Sequence, residues 1–204
     1  MKIFVIGDSI SVHYGPHLEK YLNGVIEYER KDGNAEALKN LDIPQGANGG
    51  DSEKVLEYLE ARAENAPIDA DYILINCGLH DIKTDSKTGE KQIPIEQYAK
   101  NLKQIINVSQ KSGLKVIWMR TTPADEAVHN AIQPDFKRFK ADCIAYNEAA
   151  DQVMADASVP SIDLYTFTNN ISDDVYCDHV HFHEHVREKQ AAFIAGYLNA
   201  MVNG

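Results

Sequence analysis

The 204-residue sequence predicts one α/β domain over residues 1–204, with a five-stranded parallel sheet between two layers of helices. Three observations carry this expectation. Short apolar runs of strand length recur along the chain. Polar, Gly- and Asp-containing residues follow several of them. Between the runs, apolar residues return at helical spacing. Parallel strands need crossover connections, and helices alternating with strands supply them.

In chain order, Ile3-Phe4-Val5-Ile6 reads as a buried central strand, ended by Gly7-Asp8-Ser9. Residues 14–23 read as a first helix, with Pro16 in its first turn. Val25–Glu29 alternates and predicts a second strand, and Lys31–Gly49 reads as a long polar loop. Asp51 or Ser52 caps a helix marked by Val55, Leu56 and Leu59. Asp71–Cys77 is the next strand, followed by Gly78-Leu79-His80-Asp81 and a polar excursion over 82–93 that turns at Thr88-Gly89. Tyr98, Leu102, Ile105 and Ile106 mark a helix that stops at Gly113. Leu114–Met119 is a strand, and a loop with His129 and Asn130 follows. A long helix spans about Pro134 to Asp156, Val159–Leu164 is the last strand, and Asn169–His183 is a polar loop. Glu184–Val202 closes the chain as a helix. The order 2-1-3-4-5, flavodoxin-like, is the economical topology.

Composition narrows the partners. A net charge of −11 argues against nucleic acid and against anionic membranes, since both are polyanions. No apolar run has the length of a membrane span. Lys2 is followed at once by the first strand, so no leader is expected and a cytoplasmic location is. Cys77, Cys143 and Cys177 form no CxxC pair and read as free thiols.

The chemistry collects in four polar clusters: Gly7-Asp8-Ser9, Asn48-Gly49-Gly50-Asp51, Gly78-Leu79-His80-Asp81 and Asp178-His179-Val180-His181. Several follow strands, and the carboxyl ends of parallel strands share one edge, so the clusters can converge. Acyl transfer needs a nucleophile, a base, a group that orients the base, and donors for the oxyanion. Ser9 can be the first, His181 the second and Asp178 the third, and Gly50 can offer a bare backbone N–H. Asp8 or Ser9 can equally be a helix cap and nothing more.

These blocks, in this order, resemble those of the SGNH, or GDSL-type, esterases and lipases, over nearly the whole chain. The resemblance implies a three-layer α/β/α sandwich with no metal or other cofactor. It implies Ser9 as nucleophile, Asp178 and His181 as its partners, and Ser9 and Gly50 as oxyanion donors, with Gly49 as the alternative to Gly50. The family's third block is usually Gly-x-Asn-Asp. Here His80 stands in the Asn position, where an imidazole can still donate one N–H. Asp8, Gly49, His129 and Asn130 are candidate substrate contacts. Arg120 and Asp125 sit in the same stretch as the last two, which can equally be an exposed polar loop. The serine lies outside G-x-S-x-G, because residue 11 is Ser.

Two other readings compete. His179, His181, His183 and His185 in one short segment suggest a metal site, which with Asp8, His80 and Asp81 would make a metallophosphatase. A flavodoxin-like binding module is the other, although the chain has no glycine-rich phosphate loop. The expected partner is a small ester, an acetylated carbohydrate first, because no greasy lid segment is present.

Overall fold

The structure, a computed structural model, describes residues 1–172 and 174–203. Strand β1 (Lys2–Ile6) lies in the middle of the main sheet. It pairs on one side with β2 (Glu27–Arg30) and on the other with β3 (Tyr72–Ile75). Beyond β3 come β5 (Lys115–Met119) and the edge strand β7 (Ser161–Ile162). All four pairings are parallel, and the order is the predicted one once two short strands are set aside. These are β4 (Thr84–Asp85) and β6 (Phe136–Lys137), which pair antiparallel with each other outside the main sheet.

Helices α1 (Ser9–Leu22) and α8 (Glu184–Asn203) pack together in one layer. Helices α3 (Ser52–Asn65), α4 (Ile95–Lys111) and α6 (Lys140–Asp156) form the other. The spacing explains the first layer: Leu18 and Leu22 on α1, and Ile194 and Leu198 on α8, recur every four residues and are all fully buried. Truncating any of them to Ala removes about 2–5 kcal/mol. No described helix is long and apolar enough to cross a membrane.

The structure departs from the sequence reading at several boundaries. α1 begins at Ser9 rather than at residue 14, because Asp8 caps it: Asp8 Oδ1 accepts from the Ile10 N–H at 2.9 Å. Pro16 is therefore inside the helix, where it removes one N–H from the ladder. Gly7 permits this abrupt entry, since a Cβ there would stand 2.9 Å from Ser11 Cβ. α6 starts at Lys140, not near 134, because residues 136–137 pair with β4. The 31–49 stretch contains one helical turn, α2 (Asn34–Ala37), and His129 and Asn130 belong to a short helix, α5 (Glu126–Ile132). The last strand is cut to two residues because Asp163 caps a further helix, α7 (Leu164–Asn169), accepting from the Thr166 N–H at 3.0 Å.

Candidate active site

Three of the four clusters meet around the end of β1, and the fourth, the segment before α8, closes on them. Ser9 is the first residue of α1 and is 3 % exposed. Its Oγ lies 2.8 Å from His181 Nε2, and His181 Nδ1 lies 2.7 Å from Asp178 Oδ2. An ionised carboxylate holds the ring proton on Nδ1, which leaves the Nε2 lone pair to accept from the Ser9 hydroxyl.

The spacing of Asp178 and His181 has a local cause. Asp178 Oδ1 accepts the backbone N–H groups of Val180 at 2.8 Å and His181 at 2.7 Å. The carboxylate thus folds the turn that delivers the ring to its other oxygen. The Cys177 N–H donates to the His181 carbonyl at 2.9 Å and closes the turn. Burial pushes the Asp178 carboxyl up, but the two N–H groups and the imidazole outweigh it and bring it down to about 2. His13 packs edge-on against His181, with ring centroids 5.1 Å apart. Burial, then the charges of Arg187 and His181, lower the His13 pKa to about 4.

On the other side of Ser9, the Gly49 N–H donates to the Gly7 carbonyl at 2.8 Å, which ties this loop to the end of β1. Gly50 has φ +76° and suits a residue without Cβ. Its N–H, expected to be bare, donates to Asn48 Oδ1 at 3.0 Å. Asp51 caps α3, and the Asp81 carboxylate accepts the Ser52 N–H at 3.0 and 3.2 Å. Burial raises the Asp81 pKa to about 7 against the pull of Ser52. The Asp8 carboxyl is likewise raised by burial; it caps α1 and lies behind the serine.

His80 is 1 % exposed, and its Nδ1 has no partner. Burial, then the charges of Lys83, Arg138, His181 and Lys54, hold its pKa well below the usual range, so the ring is neutral with one N–H to give.

His129 and Asn130 are engaged with protein groups. His129 Nδ1 lies 2.7 Å from His179 Nδ1, and its Nε2 is buried without a partner. Burial, then Arg138 and His179, bring the His129 pKa down to about 4. Asn130 clamps a neighbouring backbone, donating to the Arg138 carbonyl at 2.9 Å and accepting the Arg138 N–H at 3.0 Å. Asp125 caps α5, and Arg120 pairs with Asp163 and Asp151. The histidines of the 179–185 segment take separate partners: His179 meets His129, His181 meets Ser9, and His183 faces Asp174. Among the described residues, no group of three or more His, Cys, Asp or Glu converges as metal ligands would.

Sequence reasoning missed Arg138, a buried guanidinium whose Nε donates to the Leu79 carbonyl at 2.9 Å. In the sequence it is one cation in the charged stretch DFKRFK, and nothing there singles it out. The role of Asn48 was equally hidden.

Serine, imidazole and carboxylate thus stand in a hydrogen-bonded line at the end of β1 of a parallel α/β/α sandwich. The chain belongs to the GDSL-like lipase/acylhydrolase family, whose model matches residues 5–186, and is an ester hydrolase of that type. No curated protein matches the sequence. Solved structures share its fold. A lipase/acylhydrolase from Enterococcus faecalis is 18% identical with TM-score 0.72, covering 98% of this chain and 96% of that one. A psychrotrophic esterase from Pseudoalteromonas sp., solved with monoethylphosphonate as inhibitor, is 15% identical with TM-score 0.68, covering 100% and 99%. A carbohydrate acetylesterase from Sinorhizobium meliloti is 16% identical with TM-score 0.66, covering 98% and 99%.

Proposed function

We propose that the protein hydrolyses small carboxylic esters through an acyl-enzyme on Ser9. The observation that carries this reading is the unbroken line Asp178–His181–Ser9, at 2.7 and 2.8 Å. Ser9 Oγ attacks the ester carbonyl while His181 Nε2 takes its proton. Asp178 stabilises the imidazolium. The tetrahedral intermediate then collapses, the C–O bond to the alcohol breaks, and His181 returns the proton to the leaving alkoxide. Water repeats both steps on the acyl-enzyme, releasing the acid and restoring Ser9.

The oxyanion would form beside the Ser9 and Gly50 N–H groups and His80. The Gly50 N–H exchanges Asn48 Oδ1 for the substrate oxygen, a swap of acceptors with no donor left empty. The neutral His80 ring, whose Nδ1 has no partner, is our candidate for a further donor to this hole. Among esters we place acetylated carbohydrates first, because one structural relative is a carbohydrate acetylesterase.

The test is covalent. A fluorophosphonate added without metal should modify Ser9, identified by peptide mapping, and should leave Ser9→Ala unmodified. Ser9→Ala should also lose several orders of magnitude of turnover on nitrophenyl acetate while keeping its melting temperature. A label on another residue, or near-full turnover by Ser9→Ala, would overturn the assignment. A panel of nitrophenyl esters of rising chain length beside acetylated sugars then ranks the substrates.

A further inference from the structure

One wall of this site holds three cations that no carboxylate answers at close range. Lys83 carries its Nζ 4.6 Å above the Phe136 ring, and its backbone N–H donates to the His80 carbonyl at 3.3 Å. Arg138 lies over the same ring at 5.1 Å and is tied to Leu79, the residue before His80. Arg138 is 3 % exposed, and its Nη1 is buried without a partner. Lys54, in the first turn of α3, runs past the third point: its Cδ would stand 2.9 Å from a Cβ placed on Gly50. The three side chains therefore lie about residues 50 and 79–80, and all three charges act on the His80 ring.

Some described cations elsewhere are ion-paired, and the buried Arg30 guanidinium instead donates to the Ser11 and Ala47 carbonyls. Lys91 meets Asp142, Arg120 meets Asp163 and Asp151, and Arg187 meets Glu184. Among the described residues, no carboxylate comes within ion-pair distance of Lys54, Lys83 or Arg138. Asp42 and Asp51 act on Lys83, and Asp42 and Asp8 on Arg138, only from farther away. Arg138 is buried and Lys83 half-buried, and cations so placed without a carboxylate partner are costly; an anion beside them, within reach of the exposed Lys54, removes that cost.

We infer that Lys54, Lys83 and Arg138 recognise an anionic oxygen group, such as a carboxylate, carried by the ester substrate. Arg138, fixed by Leu79 and by the Asn130 clamp, is the stationary charge at the back. Lys83 and Lys54 are more exposed, and their flexible ends reach the anion. The inference rests on the esterase reading and narrows its substrate class. The anion can sit on the acyl or on the alcohol part, and two substrate pairs separate these sources. One compares the nitrophenyl half-ester of glutarate with nitrophenyl valerate. The other compares acetylated glucuronate with acetylated glucose.

Wild-type enzyme should favour the charged member of one pair by about tenfold in kcat/KM, mainly through KM. The double substitution Lys54→Gln with Lys83→Gln should bring that ratio to about one; both side chains lie outside the core, so the fold is retained. No preference in either pair, or a preference that survives the double substitution, overturns the proposal. If no ester is turned over and Ser9 is not labelled, the esterase reading fails separately. The anion site is then judged by titration with glutarate: binding that the double variant loses upholds it, and equal binding or none overturns it.

Discussion

Asp178→Asn separates the two tasks of the carboxylate. Oδ1 accepts two loop N–H groups, at 2.8 and 2.7 Å, and Oδ2 accepts from the His181 ring at 2.7 Å. An asparagine can keep the first task with its carbonyl oxygen, which leaves the turn in place. Its NH₂ then faces His181 Nδ1 and can only donate, so the ring must carry its proton on Nε2. That nitrogen now points a hydrogen at Ser9 Oγ and cannot take the hydroxyl proton. To react, the imidazole must adopt the tautomer that sets two donors against each other. The imidazolium also loses the anion now 2.7 Å away. The change in a serine triad typically lowers turnover about 10⁴-fold, or about 5 kcal/mol of barrier. The assay is kcat on a neutral nitrophenyl ester, read beside the rate of fluorophosphonate labelling and the melting temperature. Both rates should fall together while the melting temperature holds. Asp178→Ala should lose similar activity and also melt lower, because two loop N–H groups lose their acceptor. An Asp178→Asn enzyme within tenfold of wild-type turnover would refute the tautomer argument.

The remaining predictions concern the oxyanion side and acid stability. His80→Ala should lower kcat by about a hundred- to a thousandfold with a much smaller change in KM, and His80→Asn should recover part of it; unchanged turnover in His80→Ala would leave the hole to Ser9 and Gly50. His13 and His129 are held neutral with pKa values of about 4, below the 6.5 of an unfolded histidine. Below pH 6.5 the unfolded chain takes up protons that the folded chain refuses. Their contribution is therefore intact above pH 6.5 and is lost as pH falls towards 4. The Asp81 carboxyl, raised to about 7, contributes the opposite drift over the same window, so the readout is the comparison of melting temperatures from pH 7 to 4: His129→Gln should lose less stability on acidification than wild type, and parallel profiles would contradict the placement of the His129 ring.

The sequence by itself determined the strands of the sheet and which polar residues gather at its edge. Residues 3–6, 72–75 and 115–119 are apolar enough to be read as buried strands, while the strand order is not readable from local signals and 2-1-3-4-5 is only the economical choice. Ser9, Asp178 and His181 were legible for the same reason. A serine after a strand, and an aspartate three residues before a histidine, are patterns over adjacent positions. Their meeting across 172 residues follows once the sheet is parallel.

The tertiary structure decided what depends on a distant partner. Residues 134–139 carry a helix-like pattern, yet pairing with β4 holds 136–137 extended and delays α6 to Lys140. The Gly50 N–H is engaged by Asn48, and Asn130 is a clamp on Arg138, because each polar side chain binds the nearest free backbone group that folding presents. Arg138 is one cation among many in the sequence. Burial of its guanidinium behind Leu79, with one nitrogen unanswered, makes its charge matter, since an unpaired charge acts strongly only where water is excluded.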